Sequence, residues 1–234
     1  MEKDAINWYT DEILRENYLA SISMYKFIER DFSECLEYVA FKEDHLQVYS
    51  FRFANLILRI GPEILRLFNL VLFNPNRTAH FSFHRDVKPS LVELQKKCEK
   101  RNDYIMDYFK AIKNVRIGGI GYIGVKVKEW DKYLIPFCVD KRRRVKGNGK
   151  CEEYDVIPWW EDGYNALRHR TIREFRESAT FENALFSLAG AWVLHDEYLG
   201  RDWGYSLESE IFGKCVDRST IETNQLPMLK YKQA

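Results

Sequence analysis

Apolar and polar residues alternate along this chain mainly at the three-and-four spacing of helices. Ile6, Tyr9, Ile13, Tyr18, Ile22, Tyr25 and Phe32 mark one helix, or two short ones, over residues 5–32. Between Phe51 and Phe73 the chain is almost continuously apolar, yet Arg52, Asn55, Arg59, Glu63, Arg66 and Asn69 form one polar stripe. A bilayer would penalise those charges, so the stripe predicts a core helix and not a membrane span. Gly61 and Pro62 fall inside it without breaking the phase, which predicts a kink within one element.

Ser90 and Glu93 form a capping box after Pro89, and Leu91, Leu94, Cys98, Ile105, Tyr108, Ile112 and Val115 continue a helix from there. The glycine-rich stretch from Val115 to Trp130 reads as a hairpin-like excursion or loop, and KRRRVKGNGK after it as a basic surface loop. From Pro158 to Arg176 a further amphipathic helix is predicted. Asp162, Asn165, His169, Arg173 and Arg176 share one of its stripes, and Trp160, Tyr164, Leu167 and Thr171 a neighbouring one. Thr180 caps a last helix running to Leu199, in which Ala184, Ser187, Gly190 and Ala191 permit close helix approach. Four long helices and modest loops predict an all-α up-and-down bundle, one domain over residues 1–234 with an insertion at 115–155 that is irregular or a small β-hairpin.

The 234 residues carry a formal net charge of +1, so no global field marks a nucleic-acid or membrane binder and any such role rests on local patches. Cys35, Cys98, Cys138, Cys151 and Cys215 are scattered and odd in number, which reads as reduced cytoplasmic thiols rather than a disulfide framework or a zinc site. The start of the chain lacks the basic and apolar runs of a secretory signal, again pointing to the cytoplasm.

His169 is the sharpest chemical candidate. An imidazole titrates near neutrality and serves as a general acid or base, and the flanking Arg168 and Arg170 supply phosphate ligands. Asn165 stands one turn earlier, placed to orient the ring or touch substrate. The run Arg142, Arg143 and Arg144 with Lys141, Lys146 and Lys150 is the densest positive patch, and Trp159 beside it is the candidate for base stacking. Arg77 and His84, with His80 and Asp86, sit in a turn-rich alternating segment that reads as a surface loop. Gly119, Gly121 and Gly124 spell a dinucleotide fingerprint but follow a helix where a strand is required. No metal or cofactor is expected.

Trp159, Trp160, Tyr164, Asn165, Arg168 and His169, followed by Ala179, Thr180 and Asn183, resemble the last two helices of HEPN-like proteins over Ile157 to Leu194. That superfamily of helical bundles includes metal-independent ribonucleases of bacterial abortive-infection, toxin–antitoxin and CRISPR systems. The resemblance implies an endoribonuclease of a prokaryotic defence or stress system. His169, Arg168 and Asn165 would be catalytic, and Arg170, Arg173, Trp159, Arg142, Arg143 and Arg144 would bind RNA, in a composite site shared by a homodimer. A protein partner from a defence or toxin–antitoxin system is also implied, and no membrane. Where catalytic members carry an arginine, this chain has Asp162, Gly163 and Tyr164. That departure opens a second reading, a non-catalytic module that binds RNA or docks a partner protein. A third is a nucleotide-binding regulatory module of the same fold.

Overall fold

The computed structural model describes residues 11–73, 123–145, 147, 149–169, 174–196 and 207–227. The expected helix from Ser90, the Arg77/His84 segment, Gly119, Gly121, Arg170 and Arg173 lie outside them. The elements are α1 (Asp11–Leu36), α2 (Phe51–Phe73), β1 (Ile123–Val127), β2 (Tyr133–Leu134), β3 (Asp140–Val145) and β4 (Cys151–Val156). A π-helix (Trp159–Asn165), α3 (Ala166–His169), α4 (Phe175–Ser178), α5 (Phe181–Val193) and β5 (Phe212–Asp217) follow.

The all-α bundle is therefore corrected to a mixed α/β fold with two antiparallel sheets, one ordered β2-β1-β5 and the other the β3-β4 hairpin. β1 falls where a hairpin-like excursion or loop is expected, while the extent of the sheets escaped the hydrophobic pattern for physical reasons. β1 sits mid-sheet with Ile123, Gly124, Val125 and Val127 all buried, so its side chains do not alternate between core and solvent. β3 is charged at almost every position. Its arginines are held by cross-strand acids: Arg143 reaches Glu153 at 2.8 Å, Arg144 reaches Glu152 at 3.0 Å, and the Arg144 guanidinium lies over the Tyr154 ring. A full antiparallel ladder holds this ribbon, and exposed cross-strand charge pairs take the place of an apolar face. The first half of the predicted basic loop, residues 141–145, is thus an ordered strand, and the chain turns near Gly149, whose φ of 77° suits a residue without a Cβ.

α1 and α2 form an antiparallel pair, and the polar stripe read from α2 faces α1. Arg59 pairs with Asp31, Arg52 with Glu34 at 3.8 Å, and Arg66 reaches the Asn17 carbonyl at 2.7 Å. Buried Glu63 accepts from Ser21 and from Arg66. α2 runs unbroken through Pro62, which lies on the exposed side. α5 is buried along nearly its whole length between α2, α1 and the sheet. Its Phe181 stacks with Phe32, and Trp192 donates to the Gly213 carbonyl of β5 at 2.9 Å.

The continuation of α5 carries His195, fully buried between the rings of Tyr18 and Tyr25 at 5.8 and 5.4 Å. Neither imidazole nitrogen has a hydrogen-bond partner among the described residues. Burial, and secondarily the charge of Arg66, push its pKa down to about 3, so it stands neutral. Alongside, Glu29 ties helix to sheet by accepting from Tyr25, Ser209 and the Ile211 amide.

No helix among the described residues is long and apolar enough to cross a membrane.

Candidate functional site

The motif stretch is not one regular helix. It begins as a π-helix, in which Trp159, Trp160, Gly163 and Tyr164 are all buried, and passes into the four-residue α3. The wider π turn breaks the polar stripe expected from regular spacing, because each turn spends an extra residue.

The consequences for the predicted site are concrete. Asp162 faces the β-ribbon, Asn165 donates back to Glu161 at 3.2 Å, and His169 is exposed at the end of α3. Arg168 lies over the Tyr164 ring at 5.2 Å. Trp159, expected to stack on bases, is buried in the core, where its indole N–H donates to the Pro136 carbonyl at 2.6 Å and its ring meets Phe137 and Trp160. Its apolar neighbours on both sides drew it inward. Arg142, Arg143 and Arg144 each have a carboxylate partner.

A cleft of about 1110 Å³ opens between the β-ribbon, the π-helix, α4 and the start of α5. Arg142, Arg143 and Trp159 are the predicted residues that line it; Asn165, Arg168, His169 and Arg144 do not. Its wall on the ribbon side is organised by Arg142, whose guanidinium grips Asp162 through two parallel bonds of 2.7 and 2.5 Å. This hydrogen bond, against an opposing effect of burial, raises the arginine's pKa above its usual value.

The opposite wall starts at Thr180. As predicted it caps α5, its hydroxyl accepting from the Asn183 amide at 3.2 Å. The loop before α2 completes the end of the helix: the Phe181 amide donates to the Val48 carbonyl at 2.8 Å and the Glu182 amide to Leu46 at 2.9 Å. With its first amides satisfied in this way, the α5 N-terminus has no ready donors for a phosphate. Glu182 points instead to Gln47, which donates to it at 2.6 Å. Burial raises the Glu182 pKa, the Gln47 bond opposes that shift, and nearby Asp162 adds to it.

Among the described residues six carboxylates and four cationic side chains line the cleft, so acids outnumber bases there despite the basic ribbon. The residues that sequence reasoning missed are Gln47, Tyr49, Glu174 and Glu182. Gln47 and Tyr49 reach the site through a single β-bridge, Tyr49 to Thr180, which leaves no periodic trace in sequence. Among the described residues no cluster of His, Cys, Asp and Glu is arranged to hold a metal ion.

Compared with protein-family models, curated proteins and solved structures, the chain matches none of them, so the cleft's own geometry carries the functional argument.

Proposed function

We propose that this chain is a non-catalytic docking module whose cleft receives a segment of a partner protein. The observation that carries this reading is the charge arrangement of the cleft: its arginines on the ribbon are already engaged by Asp162 and Glu153, and carboxylates are in surplus. An RNA backbone needs cationic groups free to neutralise phosphates. A polypeptide segment tolerates alternating sign and gains from the mixed polar and aromatic lining. The same arrangement argues against preferring the endoribonuclease reading, since His169 stands outside the cleft and its described partners do not converge there. Cys35, Cys138, Cys151 and Cys215 form no disulfide among the described residues, which fits the cytoplasmic setting proposed here.

The test is selection of a random dodecapeptide library on the purified protein, counter-selected on Gln47→Trp, which fills an exposed cleft position, with labelled single-stranded RNA assayed in parallel in EDTA. Enriched peptides that bind the parent and not Gln47→Trp are expected, with RNA left intact. RNA cleavage that disappears in His169→Ala, tight RNA binding lost on changing Arg142 and Arg143, or a protein that only self-associates would overturn the docking assignment.

A further inference from the structure

The fold closes the backbone of one edge strand and leaves another open. On β5 the Gly213 carbonyl accepts from the Trp192 indole at 2.9 Å and the Cys215 amide donates to Asp196 at 3.0 Å, so side chains of α5 and its continuation occupy that strand. β3 pairs with β4 alone. In an antiparallel pair every second residue of each strand turns its N–H and C=O away from the partner. Among the described residues, no group outside the ribbon bonds to the backbone of Asp140–Val145.

The cleft meets this open margin. Successive side chains of a strand point to opposite faces, so a recess lying against one face of the ribbon would be lined by alternate residues. Asp140, Lys141, Arg142 and Arg143 instead line it in an unbroken run, while of β4 only Glu153 and Tyr154 do. At about 3.4 Å per residue that run is about 13 Å long, enough for four residues of a neighbouring strand. A two-stranded ribbon is marginal in water on its own, and a third strand would stabilise it.

Charge decides what can lie there. Arg142, Arg143 and Arg144 are held by Asp162, Glu153 and Glu152. Lys141, exposed and in the cleft, has no carboxylate within ion-pair distance among the described residues. A second copy of β3 would set this basic run against itself, and like charges directly across a strand pair repel. Resting on the docking function proposed above, we infer that the partner segment binds as an extended third strand on the free edge of β3, with a carboxylate side chain beside Lys141. Main-chain hydrogen bonds supply the affinity in such a complex and alternate side chains the selectivity.

The test uses the tightest dodecapeptide from the selection above, resynthesised with a single N-methyl group at each position in turn. An N-methyl removes one donor and bars the close approach of a neighbouring strand. Losses of about tenfold or more are expected at every second residue through the paired stretch, with the residues between them tolerant. Amide hydrogen exchange in the protein should slow at alternate residues of β3 and stay unchanged in β5. The peptide should carry Asp or Glu, and Lys141→Ala should weaken binding about two- to fivefold at low salt, an effect absent once that acid is changed to its amide. Lys214→Ala, which removes an exposed lysine from β5, should bind as the parent does. A peptide without an acid, or one indifferent to Lys141→Ala, would overturn the carboxylate assignment. Tolerance of N-methylation throughout, sensitivity without a two-residue period, or unaltered exchange in β3 would overturn strand addition and leave the docking function standing. Failure to enrich any cleft-dependent peptide would overturn both.

Discussion

Gly61 offers the sharpest test of how the fold holds the cleft. A Cβ built at this position would lie 2.1 to 2.5 Å from three atoms of the Tyr164 ring, closer than carbon atoms ever approach. The ring has little room to retreat, since Trp160 stands 4.4 Å away by ring centroids and the Arg168 guanidinium covers it at 5.2 Å. Gly61→Ala should therefore force a shift of an ångström or more between α2 and the π-helix. In a helix interior alanine gains about 1 kcal/mol over glycine. Overpacking a core costs roughly 1–3 kcal/mol, and a contact this close belongs at or above the top of that range. The net expectation is a loss of at least about 2 kcal/mol, a Tm fall of at least about 4 °C for a chain of this length. Thermal and urea unfolding of Gly61→Ala, Tyr164→Ala and the double variant close a cycle. In the Tyr164→Ala background the added methyl should cost nothing or stabilise slightly. A Gly61→Ala protein as stable as the parent, or equally destabilised in both backgrounds, would refute the claim that the tyrosine ring rests on the helix backbone. The result also bears on function, because the π-helix that carries Tyr164 carries Asp162 two residues earlier.

Other expectations follow from single contacts. His195 is neutral in the fold, with a pKa near 3 against about 6.5 when unfolded, so its contribution is intact above pH ~6.5 and drains as pH falls toward 3. Between pH 7.5 and 5 this removes about 2 kcal/mol, and His195→Phe should flatten that part of the stability profile; an unchanged slope would contradict it. Thr180→Ala should cost about 1 kcal/mol in urea unfolding and Thr180→Ser far less, since only the hydroxyl caps α5. Trp159→Phe should lose about 1–3 kcal/mol by leaving the buried Pro136 carbonyl unpaired, a loss that a base-stacking surface tryptophan would not show.

Sequence alone located the elements whose burial follows a period: the helical span of α1, which it left open as one helix or two, α2 as one element through Pro62, and α5 with its threonine cap. It also singled out the stretch from Trp159 to His169, although regular spacing placed His169 and Asp162 on one stripe. What only the tertiary structure decided was anything requiring two distant segments at once. The charged ribbon became a strand because β4 supplied a full backbone ladder and acids opposite Arg143 and Arg144. β1 became a strand because β2 and β5 paired with both its edges. Gln47 and Tyr49 joined Glu182 through one bridge between loops. Periodicity records which side of an element is buried; it carries no record of which other segment does the burying. The cleft, built almost wholly from such encounters, was for that reason invisible along the chain.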